Sequence, residues 1–150
     1  MFEYAAGNNI PTVVMHSNSV PAQSNDFTTN DIVEEVYKSL EDKINRLIES
    51  GMDRGCIIAD IGIGFGKSKE SCFELLRRIE EFTSLKVPLL LGISRKSFMC
   101  NGLTCEESDN LTAVYSAMLK SVNIHRVHNA SLTKKFLDYS ANLNQGSFFN

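Results

Sequence analysis

Five side chains with chemistry to offer sit at the ends of short apolar runs. His16 closes the run 11–16, Asp60 closes 56–60, Lys96 follows 87–93, and Arg126 and His128 lie in 123–128. If these runs are parallel strands, their carboxyl ends are where β/α folds bind ligands. Side chains alternate along a strand, which puts Arg126 and His128 on one face with Ile124, Asp60 with Ile58, and His16 with Val14. One cleft is therefore expected to receive a carboxylate, an ammonium, a guanidinium and two imidazoles from four separate segments. Any one of these residues can be read more simply as a polar group leaving the core for water. It is their joint placement that points to a site.

Other signals are weaker. Gly62, Gly64 and Gly66 form a glycine-rich loop after Asp60, but its spacing is neither that of a P-loop nor that of a dinucleotide fold. A plain strand-to-helix turn accounts for it equally well. Cys56, Cys72, Cys100 and Cys105 lack paired C-x₂-C spacing and histidine partners, so they are expected to be free thiols. Asn110 and Asn129 match a glycosylation sequon by residue type alone. The 150 residues carry 15 Lys+Arg against 18 Asp+Glu, a net charge of −3 with no basic block, which gives no footprint for nucleic acid or an anionic membrane. No apolar run approaches the ~20 residues of a membrane span, and MFEYAAGNNIP lacks the layout of a signal peptide. One soluble, cytoplasmic domain over 1–150 is the expectation.

The elements that must position these residues alternate. The run 11–16 reads as a buried strand and 31–50 as a helix, with Ile32, Val36, Leu40, Ile44, Leu47 and Ile48 inward and Gly51 at its end. A second strand, 56–60, is followed by a helix with Phe73, Leu76, Ile79 and Phe82 on one face. A third strand, 87–93, precedes a helix over 106–121 with Leu111, Val114, Met118 and Leu119 inward. The fourth strand, 123–128, leads to a helix capped by Ser131 that carries Leu132, Phe136 and Leu143, with 145–150 frayed. Four β-α units with long crossovers imply an α/β fold, a parallel sheet covered by helices. That suits half of a (β/α)₈ barrel or a small doubly wound sheet, since a whole barrel needs ~250 residues.

Residues 60–67, 94–98 and 126–129 together resemble the dihydropteroate synthase family. Residues 60–67, DIGIGFGK, are close to that family's D-P-G-I-G-F-G-K; 94–98, SRKSF, match its S-R-K-S-F; and 126–129, RVHN, are close to R-V-H-D. A fourth segment, 13–16, VVMH, is similar to V-x-M-H. They occur in family order over nearly the whole chain. Ile61 stands where the family has proline, Cys72 where it usually has asparagine, and Asn129 where it has aspartate, which removes one carboxylate from beside the cations.

The resemblance implies the C-terminal half of a TIM-type (β/α)₈ barrel, strands five to eight, as a partial pterin-binding domain. It implies transfer chemistry in folate biosynthesis. p-Aminobenzoate displaces pyrophosphate from 6-hydroxymethyl-7,8-dihydropterin diphosphate to give 7,8-dihydropteroate, with Mg²⁺ helping to hold the diphosphate. Asp60 would accept the neighbouring N–H donors of the pterin edge and Lys96 would meet its carbonyl and ring nitrogen, the two catalytic positions. Arg126 and His128 would hold the leaving diphosphate, Ser97 would lie near the p-aminobenzoate pocket, and Gly64 and Phe65 would contact substrate. The first four strands of the family lie outside the resemblance, and the Mg²⁺ ligands would come from the diphosphate and that half. A half-barrel leaves open edges and an apolar interior, so an N-terminal half or self-association is expected to complete it. Two alternatives remain: an inactive truncated remnant or half-barrel interaction module, and a pterin-binding methyltransferase-type barrel. The segments SRKSF and RVH disfavour the second.

Overall fold

The structure, a computed structural model, describes residues 2–8, 10–17 and 31–144. A short helix absent from the sequence-based expectations, α1 (Phe2–Gly7), precedes β1 (Thr12–Met15). Helix α2 (Ile32–Glu49) begins where Asp31 accepts the N–H groups of Val33 and Glu34, satisfying donors the first turn leaves open. Its buried stripe, Val33, Val36, Leu40, Ile44 and Leu47, has helical spacing and lies on the sheet. Then come β2 (Ile57–Asp60), α3 (Lys69–Arg77), β3 (Leu89–Leu91), the single turn α4 (Ser97–Cys100), α5 (Cys105–Met118), β4 (Ile124–His125) and α6 (Ala130–Asn144). A capping box between Thr104 and Glu107 starts α5.

All strands are parallel and adjacent in chain order, β1-β2-β3-β4, with Val14 opposite Ala59, Ala59 opposite Leu89, and Leu90 opposite Ile124. That order decides between the two architectures left open. A doubly wound sheet reverses its strand order at a switch point, whereas right-handed crossovers that always step the same way keep every helix on one face and curve toward a barrel. On the helix-facing side Ile57, Ala59, Leu89 and Leu91 are buried with α2 and α3. On the other side Val13 and Ile124 are 45% and 37% exposed, so the would-be barrel interior is partly open. Among the described residues no helix is long and apolar enough to cross a membrane.

Four expectations fail in instructive ways. The second helix ends at Arg77, and Ile79 and Phe82 are buried from a 3₁₀ segment, Ile79–Leu85. Arg78, bonded to Asp31 and Glu81, marks the break. In α5, Val114 and Met118 are 40% and 68% exposed, and the buried face is Ser108, Asp109, Thr112, Ala113 and Ser116. This helix packs closely on α6, where only small side chains fit, so its large apolar residues mislead. Asn129, not Ser131, caps α6 by accepting the N–H of Leu132 (3.1 Å). Leu143, expected on the inward face, is exposed, while Leu132 and Phe136 are half-buried. The expected fraying of 145–150 concerns residues outside those described.

Candidate functional site

Asp60 ends β2 on the barrel-interior face, in register with Leu90 and so with Ile124. It is 1% exposed. Its Oδ1 accepts the Gly62 N–H (2.8 Å) and its Oδ2 accepts from Arg126 Nη2 (3.1 Å). A buried carboxylate persists when charge-assisted partners replace its water, and both are present. Arg126 reaches Asp60 by crossing Gly92. A Cβ at position 92 would lie 2.7 Å from Arg126 Nη2, so any side chain there would push the guanidinium off this path.

Lys96 leans back over the glycine loop. Its ammonium donates to the carbonyl of Ile63 and lies 4.4 Å from the ring centroid of half-buried Phe65, while its side chain passes over Gly64. Burial lowers the Lys96 pKa; Asp60 opposes that shift and Arg126 adds to it. His128 is held by a residue not singled out from the sequence: the Ser94 hydroxyl accepts its backbone N–H (3.2 Å) and lies 2.9 Å from its Nδ1. Gly92, Ser94, Lys96, Arg126, Val127 and His128 line a cleft of about 250 Å³. Ser97 is exposed and opens α4 beside Lys96 without lining that cleft. A larger open groove, about 730 Å³ between α2 and the 3₁₀ segment, is lined by Asp31, Arg78 and Glu81, which bind one another, and by none of the strand-end residues.

The structure brings together Asp60, Lys96, Arg126 and His128, with Gly64 and Phe65 alongside, and leaves His16 out. Met15 is the residue opposite Asp60, so His16, one further, faces the helix layer, where it is 2% exposed beside Glu35 and Lys67. Strand parity pairs His16 with Val14, and the β1–β2 register is what turns that face toward the helices. Lys67, 7% exposed, donates to the carbonyls of Gly62 (2.7 Å), Phe65 (3.4 Å) and His16 (3.5 Å), tying the glycine loop to β1. Burial lowers its pKa to about 8. Two departures from the family motif are absorbed by the interior. Ile61 packs in the core, and Cys72, buried there, has its thiol pKa raised by burial. All four cysteines are free.

Burial, reinforced by Lys67, lowers the His16 pKa to about 4, so the ring is neutral at pH 7. Between about pH 6.5 and 4 the unfolded chain takes up a proton that the folded chain refuses. Stability contributed by this group is therefore complete above that window and falls as pH falls through it, by roughly 3 kcal/mol. Urea unfolding at steps from pH 7 to 5 should show this slope, and His16→Gln should flatten it. Equal slopes in the two proteins would refute the assignment.

No three His, Cys, Asp or Glu side chains come together as a metal cage among the described residues. The Asp60 carboxylate already holds Gly62 and Arg126. These residues do not fit Mg²⁺ as a protein-held ion.

Comparison with known proteins gives one answer. The family profile described as "Pterin binding enzyme" matches residues 1–128. The chain is 38% identical over 130 residues to a probable bifunctional folylpolyglutamate synthase/dihydropteroate synthase of Haloferax volcanii, covering 83% of this chain and 15% of that protein. It is 32% identical to the dihydropteroate synthase of Escherichia coli, covering 87% of this chain and 48% of that one. The dihydropteroate synthase of Anaplasma phagocytophilum, solved with bound 6-hydroxymethylpterin-monophosphate, superposes with a TM-score of 0.87 at 28% identity, over 95% of this chain and 59% of that one. The chain spans about half the length of such single-function relatives. With the barrel-like strand order and four polar groups gathered at one end of the sheet, this chain belongs to the family of pterin-binding enzymes.

Proposed function

We propose that the chain supplies the strand-five-to-eight half of a dihydropteroate synthase site. The observation that carries this reading is the convergence of Asp60, Lys96, Arg126 and His128 beyond the carboxyl ends of three strands. Asp60 accepts the N–H donors of a 6-hydroxymethyl-7,8-dihydropterin edge, exchanging Arg126 for them, and Lys96 donates to the pterin acceptors. Arg126, half-exposed and released from Asp60 by the pterin, then pairs with the diphosphate beside His128. The amine of p-aminobenzoate forms a bond to the pterin methylene carbon as the carbon–oxygen bond to diphosphate breaks. The electron pair leaves with pyrophosphate, and the amine proton passes to solvent. An aromatic amine and a good leaving group need no covalent nucleophile, so the residues act by position and charge neutralisation. Ser97, at the rim, lies on the p-aminobenzoate side in this reading.

Mg²⁺ would enter with the diphosphate, and no step rests on it here. An N-terminal β/α half would cover Val13 and Ile124 and complete the pocket, in the cytoplasm, where free thiols persist. Calorimetry tests the reading. The chain alone should bind dihydropterin diphosphate weakly and more tightly once an N-terminal half is added. No heat in either arm, with the chain shown folded by circular dichroism, would favour the inactive-module alternative.

A further inference from the structure

Asp109 does not line the cleft, yet it is a buried carboxylate on an otherwise small and neutral helix face, 6% exposed. A carboxylate costs free energy there unless it is bonded on all sides. Arg95 donates Nε to Asp109 Oδ1 and Nη2 to Oδ2, both at 3.0 Å. The Asn129 side chain lies beside the same carboxylate, and Arg95 first, with Asn129 adding a smaller share, holds the Asp109 pKa below the usual carboxylate range. Asn129 can only donate with its amide nitrogen, because its Oδ1 is engaged by the Leu132 N–H.

Each partner is the chain neighbour of a cleft residue. Arg95 directly precedes Lys96 and is held at φ +57°, a left-handed conformation that a non-glycine residue keeps only when its surroundings over-determine it. Asn129 directly follows His128. On the cleft side the two segments are already joined once, Ser94 to His128. The Arg95–Asp109–Asn129 chain joins them a second time, from behind. Two links on opposite sides of a pair of loops fix their separation and their rotation, where one link would leave a hinge.

We infer that Asp109 is a positioning residue that sets the spacing between Lys96 and the Arg126–His128 pair by gripping Arg95 and Asn129 together. A carboxylate facing an amide also explains why position 129 is an amide here: an aspartate at 129 would set two carboxylates against each other.

The test uses the full chain as Asp109→Asn, Asn129→Asp and the double exchange, which restores one carboxylate and one amide in reversed places. Amide hydrogen exchange is read first, since it needs no ligand. Each single variant should speed exchange about tenfold in both 94–97 and 126–129 while leaving 57–60 unchanged, and the double exchange should recover most of the protection. The second readout rests on the proposed diphosphate site. Affinity for inorganic pyrophosphate should fall about tenfold in each single variant and return in the double. Parental exchange rates in Asp109→Asn, or a loss spread through α5 and the sheet that the double exchange does not recover, would overturn the inference. If the loops respond as expected but the parent binds no pyrophosphate, the positioning role stands and the diphosphate reading falls.

Discussion

Gly62→Ala should cost the chain roughly 4 kcal/mol, a large part of the ~5–15 kcal/mol that holds an ordinary domain together. A Cβ built at position 62 would lie 1.9 Å from the His16 carbonyl oxygen and 3.0 Å from its carbon. Both are backbone atoms of the neighbouring strand end and cannot rotate away. The residue also sits at φ +67°, which adds about 1–2 kcal/mol for any L side chain. The same turn carries the N–H bonded to Asp60 and the carbonyl bonded to Lys67, so displacing it loosens both. Gly51→Ala serves as the control. It shares a positive φ, +90°, but meets nothing within 4 Å, and should show the conformational cost alone. Urea unfolding of the two variants measures the difference, and similar midpoints would show that the close approach is not real.

Asp60→Asn should weaken binding of a dihydropterin by roughly 3 kcal/mol, about a hundredfold, while the chain stays folded. Asparagine keeps the shape and can still accept the Gly62 N–H, but it removes the charge and offers a donor where the pterin edge also donates. Arg126, 3.1 Å from Asp60 Oδ2, loses its counter-ion at the same time. Pyrophosphate binding should therefore change far less than pterin binding. Calorimetry with each ligand separates the two, and undiminished dihydropterin affinity in Asp60→Asn would remove the carboxylate from the site. Arg126→Gln should show the opposite preference, losing pyrophosphate first.

The positions that proved most legible are those where local chemistry and tertiary demand coincide. Gly62 falls in a turn that needs positive φ, and Asp60 ends a short strand that carries β-branched Ile57 and Ile58. Positions that misled are those where packing overrode pattern. Val114 and Met118 have the period of a buried stripe and are exposed, because the neighbouring helix lies too close for anything larger than serine, threonine or alanine. Phe82 is buried as periodicity implies, but from a 3₁₀ segment, because Arg78 is drawn to Asp31 and Glu81 across the helix break.

By itself the sequence determined four β-α units, a parallel α/β sheet and five polar residues at strand ends, four of which the fold gathers at one carboxyl edge, since alternation and turn chemistry act within a few residues of each other. Only the tertiary structure decided that the strands run in unbroken order, that His16 turns to the helices, and that Ser94 and Asp109 hold the cleft from two sides. Those outcomes depend on which groups come within hydrogen-bond reach across 14 to 34 residues of chain, a distance that no local pattern encodes.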